Sequence, residues 1–189
     1  YCYEGNTKGK YYMTEKTADR LMDFVVKKFD KNKKILRIDF YGGEPLLSLD
    51  LIRRISAKAR SLTDSSGALY KFNLVTNGSL LKRRTVEELA GLGLERVRVT
   101  LDGPAETHNR SRPFKTGAAS FDKIIENLRD IWDLVKIGIG GNFERHNYTV
   151  FPKLLDYLLE TGLTPDKIDA IKFDPVVKQP NGESTLPEY

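Results

Sequence analysis

A single cysteine, Cys2, stands in a chain of 189 residues, so no internal disulfide can form. Nothing therefore argues for an oxidising, extracellular setting. The two histidines, His108 and His146, lie far apart and have no ligand-like spacing to the cysteine, which disfavours a zinc site. No apolar run approaches the roughly 20 residues that span a bilayer. The opening Tyr1-Cys2-Tyr3-Glu4-Gly5 has no basic-then-apolar leader pattern. No Gly-x-Gly-x-x-Gly follows the first apolar run and no Gly-x4-Gly-Lys-Ser/Thr loop occurs, which disfavours dinucleotide-fingerprint and P-loop chemistry. Internal repeats and low-complexity stretches are also absent. These absences together point to a cytoplasmic chain with no membrane partner.

Positive charge is in modest excess: 31 Lys and Arg against 26 Asp and Glu, a formal net charge of +5. The basic residues are scattered as Lys27-Lys28, Lys33-Lys34, Arg53-Arg54 and Lys82-Arg83-Arg84 along amphipathic segments. That distribution fits solvated helix faces rather than a phosphate-binding stripe, so no nucleic-acid partner is expected.

What is present alternates. Five short apolar runs each end in turn chemistry: 35–41 at Gly42-Gly43, 72–76 at Asn77-Gly78, 97–101 at Asp102-Gly103-Pro104, 135–139 at Gly140-Gly141, and 168–173 at Asp174-Pro175. Between them, apolar residues recur at helical spacing after Ser48, Thr85, Ser120 and Thr149, and one such segment follows Thr14 ahead of the first run. Thr85 and Glu88 have the spacing of a capping box. Pro152 suits a first helical turn and Gly162 a helix stop. Strand and helix taking turns predict an α/β fold with parallel strands. In such sheets ligands bind beyond the strand C-terminal ends, so all five turns should converge on one rim. A sheet of this kind normally opens with a strand, and the chain starts without one. The expectation is a truncated piece of a longer protein, with residues 178–189 a loop leading elsewhere.

The turn after the first run, Gly42-Gly43-Glu44-Pro45, combines a backbone free of Cβ atoms, a carboxylate able to accept from an ammonium group, and a stiffening proline. Read alone it is also an ordinary tight turn. Asn77-Gly78 and Asp102-Gly103-Pro104 are loop signals in their own right, and Arg110 and Arg112 could be a solvated pair.

Taken in order, these motifs resemble the radical S-adenosylmethionine (SAM) enzymes. Tyr1-Cys2-Tyr3 is similar to the end of that family's Cys-x3-Cys-x-aromatic-Cys motif. Residues 42–45 match its motif for the methionyl amino group. Thr76-Asn77-Gly78, Leu101-Asp102-Gly103-Pro104 and His108-Asn109-x-x-Arg112, followed by Gly117-x-x-Ser120-Phe121, resemble the peptide- and protein-modifying subgroup. That subgroup includes the anaerobic sulfatase maturases and enzymes with a SPASM extension. The resemblance implies a partial (β/α)6 TIM-like barrel over residues 1–177, with its first strand and cluster loop largely missing. It implies that Cys2 ligates one iron of a [4Fe–4S] cluster. Gly42, Gly43 and Glu44, with Pro45 closing the turn, would hold the SAM ammonium. Thr76 and Asn77 would lie at the same rim, Thr100 would reach the ribose or carboxylate, and Arg112 would clamp the carboxylate. Asp102 would contact ligand or substrate, Ile139 would form an apolar wall at the adenine, and Asn142 would bond the nucleoside. The implied reaction is reductive cleavage of SAM to a 5′-deoxyadenosyl radical that takes a hydrogen atom from a peptide or protein substrate. The electron would come from a donor such as a flavodoxin or ferredoxin. One cysteine cannot hold a cubane, so the chain alone is expected to be inactive. Two other readings stay open: an adenosine-nucleotide-binding α/β module without radical chemistry, and a radical SAM enzyme acting on a small molecule.

Overall fold

The computed structural model of the chain describes residues 12–30, 32–145 and 147–176. Cys2, His146 and the stretch 178–189, on which expectations were placed, lie outside the described residues.

The element order is α1 (Glu15–Lys28), β1 (Ile35–Phe40), a 3-10 turn (Pro45–Ser48), α2 (Leu49–Ser66), β2 (Leu69–Thr76), α3 (Arg83–Leu92), β3 (Leu94–Thr100), α4 (Ala105–Ser111), α5 (Phe121–Ile131), β4 (Lys136–Phe143), a second 3-10 turn (Tyr148–Val150), α6 (Phe151–Glu160) and β5 (Ile168–Pro175). The five strands form one sheet in the order β1-β2-β3-β4-β5, and every neighbouring pair is parallel. This is the α/β architecture of a partial TIM-like barrel. All the strand C-terminal ends therefore lie along one edge.

Burial alternates along β2 and β3. Tyr70, Phe72, Leu74, Val97 and Val99 are buried, while Lys71, Asn73, Val75, Arg96, Arg98 and Thr100 between them are partly exposed. The buried rows face the helices. The Ser56 hydroxyl in α2 lies 3.1 Å from the Tyr70 hydroxyl. A Cβ placed on Gly78 would meet Val99 Cγ1 at 2.7 Å and Ile124 Cγ2 of α5 at 2.9 Å. One placed on Gly141 would meet Phe151 of α6 at 3.0 Å. The core is this layer of strand and helix side chains, with Ile52, Ile55, Leu89, Ile124, Leu128 and Leu154 from the helices. The other face of the sheet carries the charged residues.

Several local expectations need correction. Thr85 and Glu88 do not form a capping box: α3 starts at Arg83, and Glu88 instead accepts from Arg53 Nε at 2.6 Å and Nη2 at 2.9 Å. An ion pair to a neighbouring helix has replaced the cap. Gly140-Gly141 is not a turn but lies within β4, and Asp174-Pro175 lies within β5. Glycine at 141 is demanded by packing, because a Cβ there would sit 2.2 Å from the Leu101 carbonyl oxygen. A helix that periodicity does not predict, α4, occupies 105–111. No helix among the described residues is long and apolar enough to cross a membrane.

Candidate functional site

Two polar constellations stand on the C-terminal rim, one over β1 and β2 and one over β3 and β4. The first is organised by Glu44. It caps the 3-10 turn by accepting from Leu46 N–H at 3.1 Å, and Pro45 opens that turn. Its carboxylate also accepts from the Thr76 hydroxyl, at 2.8 and 2.9 Å to its two oxygens, and from Asn77 N–H at 2.8 Å. Because the register pairs Phe40 with Leu74, the loops after β1 and β2 leave the sheet side by side, which lets one carboxylate tie them together. Two carboxylate oxygens offer about four acceptor positions, so three donors leave room for one more. Thr76 is buried, and its oxygen in turn accepts from Gly78 N–H at 3.1 Å. The Asn77 side-chain carbonyl is engaged locally, accepting from Ser79 N–H at 2.8 Å and from the Ser79 hydroxyl at 2.6 Å.

Beside Glu44 the two glycines are uncrowded: among the described residues, a Cβ on Gly42 or Gly43 would have no atom within 4 Å. Gly42 has φ +144°, a backbone conformation that favours glycine. An open cradle of bare backbone next to a carboxylate with acceptor capacity fits a small cationic group.

The second constellation is a closed ring of hydrogen bonds. Asp102, just past β3, has a side chain only 1 % exposed. Its Oδ2 accepts from Arg112 Nε at 2.5 Å and its Oδ1 from Asn142 N–H at 2.9 Å. The Asp102 backbone N–H donates to His108 Nδ1 at 3.3 Å. On the other side of that ring, His108 Nε2 lies 3.2 Å from Ser120 Oγ, and the Ser120 hydroxyl donates to the Arg112 carbonyl at 2.6 Å. With Nδ1 accepting, Nε2 must carry the proton. Asn109 Oδ1 holds the start of α5 by accepting from Ser120 N–H and Phe121 N–H, both at 2.9 Å. Burial pushes the Asp102 carboxyl up to about 6 and pulls the Arg112 guanidinium down to about 10. Hydrogen bonds from Asn142 oppose the rise at Asp102. Burial alone lowers His108 to about 4, so it is neutral at physiological pH.

The structure thus brings Glu44, Thr76 and Asn77 together, and Asp102, Arg112 and Asn142 together. Thr100 lies at the end of β3, between the two groups along the rim, half-buried on the charged face. The side chain of Asp102 is buried and accepts from Arg112 and Asn142. Ile139 is 1 % exposed and pairs in register with Val99, on the helix-facing side, so its side chain belongs to the core and forms no wall on the open face. His108, Asn109 and Ser120, which the sequence motifs contain without a role assigned to them, belong to this network. Among the described residues there is no group of three or more His, Cys, Asp or Glu side chains able to hold a metal.

A family model described as the radical SAM superfamily matches residues 1–158. The chain belongs to that superfamily. Radical SAM proteins use a [4Fe–4S] cluster and SAM. A probable GTP 3′,8-cyclase from Saccharolobus islandicus is 30 % identical over 182 residues, covering 93 % of this chain and 53 % of its own length. Among solved structures, native anSMEcpe with bound AdoMet and the Kp18Cys peptide superposes with a TM-score of 0.78 at 19 % identity, over 98 % of this chain and 50 % of that one. Streptococcus suis SuiB bound to its precursor peptide SuiA gives a TM-score of 0.62 at 18 % identity, over 92 % of this chain and 35 % of that one. The two solved structures bear on the fold alone. The chain spans about half the length of the curated relatives it matches, 57 % for a protein of Methanocaldococcus jannaschii and 53 % for the cyclase. The rim residues fit this radical SAM membership in their chemistry: an ammonium group suits the Gly42–Glu44 cradle, and a carboxylate suits the guanidinium that Asp102 holds at Arg112.

Proposed function

We propose that this chain is the SAM-binding part of an enzyme that modifies a peptide or protein by hydrogen-atom abstraction, of the kind found among SPASM and sulfatase-maturase proteins. The observation that carries the reading is the Glu44 hub beside the open Gly42-Gly43 backbone. It fixes a carboxylate at the seam of two strand ends and leaves acceptor capacity toward the empty side. Gly42 and Gly43 offer carbonyls, and Glu44 a charge, to the methionyl ammonium of SAM. Arg112 offers its guanidinium to the carboxylate, Thr100 and Asn142 offer polar contacts to the nucleoside, and Cys2 would ligate an iron of the cluster. Bound together, the cluster and SAM supply the hydrogen-abstracting chemistry, with an electron from a flavodoxin- or ferredoxin-like donor. The protein's own part is to fix the geometry and exclude water, because a misplaced abstraction strikes the wrong C–H bond. The resemblance of residues 101–121 to the peptide- and protein-modifying subgroup favours a peptide substrate, and two proteins that share this fold, anSMEcpe and SuiB, bind peptides. The relationship to a GTP 3′,8-cyclase favours a second reading, a small-molecule substrate on the same SAM site.

The test is calorimetric titration of the chain with SAM. Glu44→Gln removes the charge and keeps the size, and should weaken binding by about tenfold, the worth of a charge-assisted over a neutral hydrogen bond. Unchanged affinity would remove the ammonium role. Anaerobic reconstitution of the natural protein bearing a complete cluster motif, with detection of 5′-deoxyadenosine, checks the radical chemistry. A substrate assay with peptides and with GTP separates the two substrate readings.

A further inference from the structure

The face of the sheet opposite the helices is built unlike the interior of a closed (β/α) barrel, where bulky apolar side chains fill the space. Rows of residues on this face, read from the strand register, run Asp39–Asn73–Arg96–Lys136, then Val75–Arg98–Gly138–Ala170, then Thr100–Gly140–Lys172, then Asn142–Asp174. Charged and amide side chains dominate, and after Lys136 β4 contributes only Gly138 and Gly140 until Asn142. Parallel sheets ordinarily bury both faces in apolar contacts, so a charged face needs a polar occupant or water.

Charge on this face is divided. Toward β1, Arg37 pairs with Glu95, while Asp39 pairs with no cation among the described residues and accepts from Asn73 Nδ2 at 2.7 Å. Toward β5, Arg98 and Lys172 share one carboxylate: Arg98 Nη2 lies 3.1 Å and Lys172 Nζ 2.7 Å from Asp174. Two cations on one anion leave a net charge of about +1. Arg98 reaches Asp174 by crossing β4 at Gly140, where a Cβ would sit 2.5 Å from Arg98 Nε and 2.9 Å from its Nη2. Glycine there makes the room the guanidinium occupies. The side chains of Arg98, Lys172 and Asp174 are 39 %, 69 % and 36 % exposed, so the internal pair is solvent-accessible and weak. An entering anion can displace it. Thr100, on the same strand and face as Arg98 and two residues nearer the rim, places this locus just below the proposed SAM contacts.

We propose that Arg98 and Lys172 form an anion subsite for the substrate, with Asp174 as an internal placeholder, and that the group received is the carboxylate of an acidic peptide side chain. This deepens the reading of a peptide-modifying enzyme and rests on it. A single carboxylate matches the local excess of one positive charge. A nucleoside triphosphate brings three to four negative charges against Asp174 and Asp39 and matches poorly.

The experiment uses the 189-residue chain and three probes: the tripeptide acetyl-Ala-Glu-Ala-amide, its Gln counterpart, and GTP. Binding is followed by the NMR resonances of the arginine Nε–H groups, with SAM affinity measured on every variant. The Glu peptide should shift Arg98 Nε–H and bind at least tenfold more tightly than the Gln peptide. Arg98→Gln should abolish the difference. Asp174→Asn removes the competitor and should tighten the Glu peptide severalfold, whereas a merely structural ion pair would give weaker or unchanged binding in both variants. Equal binding of the Glu and Gln peptides, or loss of binding in Asp174→Asn, overturns the proposal, as does GTP binding the subsite more tightly than the peptide. SAM affinity should be unchanged in both variants. If SAM binds and the peptide does not, the subsite fails alone. If SAM itself does not bind, the parent reading fails.

Discussion

The ring through His108 makes a quantitative prediction about acid. His108 is fully buried, its Nδ1 accepts from Asp102 N–H, and its Nε2 serves Ser120. Protonation would add a hydrogen at Nδ1, facing the Asp102 N–H, so two donors would point at each other in a site without water access. Burial places the folded value at about 4, against 6.5 for a free imidazole. A folded value lying below the unfolded one means the unfolded chain binds the extra proton first. The stability that depends on neutral His108 is therefore complete above pH 6.5 and lost progressively as pH falls toward 4. The linkage integral gives a loss of about 2 kcal/mol by pH 5, approaching about 3 kcal/mol below pH 4. The measurement is urea unfolding of the wild type and of His108→Gln between pH 7.5 and pH 4.5. Other carboxylates titrate in both proteins and cancel in the difference. Although His108→Gln starts less stable at neutral pH, the gap should close by about 2 kcal/mol on going to pH 5. Two curves that stay parallel would show that His108 is not held neutral by its surroundings, and the tautomer assigned to the ring would be wrong.

Two further outcomes follow from packing. Gly141→Ala must move the Leu101 carbonyl, 2.2 Å from the new Cβ, and should cost about 3 kcal/mol, whereas Gly138→Ala, whose nearest neighbours stand at 3.7 Å, should be tolerated; thermal unfolding of the two variants separates them. Asn127 donates from α5 to the Gly78 carbonyl at 2.8 Å and the Ser79 carbonyl at 3.1 Å, so Asn127→Ala orphans both and should lower stability by about 2 kcal/mol in denaturant titration, with equal stability refuting the role of this side chain as the anchor of the β2 loop.

The sequence was most legible where one face of a strand is apolar and its end is marked by turn chemistry. The C-terminal ends of β1, β2 and β3 fall within one residue of the expected positions. The N-terminal ends of β2 and β3 start three residues earlier than the apolar runs, because Lys71 and Arg96 belong to the charged face and Leu69 is 60 % exposed. A polar open face disguises a strand as a loop. In β4 the glycines that read as a turn serve close packing and a crossing guanidinium, a tertiary demand that no local pattern announces. Within the site, the motifs lie at successive strand ends, and the structure brings Glu44 to Thr76 and Asp102 to Arg112 and Asn142, contacts that motif order alone does not specify. Motif order gives no direction for side chains. The structure supplies those directions: Asp102 is buried against Arg112 and Asn142, Ile139 lies in the core, and His108 joins Asp102 to Ser120.

Each strand of the sheet lies against the one made just before it, with no strand inserted between earlier neighbours. A polypeptide leaving the ribosome can thus add each βα unit to a finished edge, without threading or waiting for a distant partner. Growth in this direction completes the Glu44 seam once β2 is laid down. The second constellation is complete only after β4 arrives and supplies the Asn142 amide to Asp102. The two halves of the rim therefore mature at different moments of synthesis, and a ribosome stalled between them would display the first half alone.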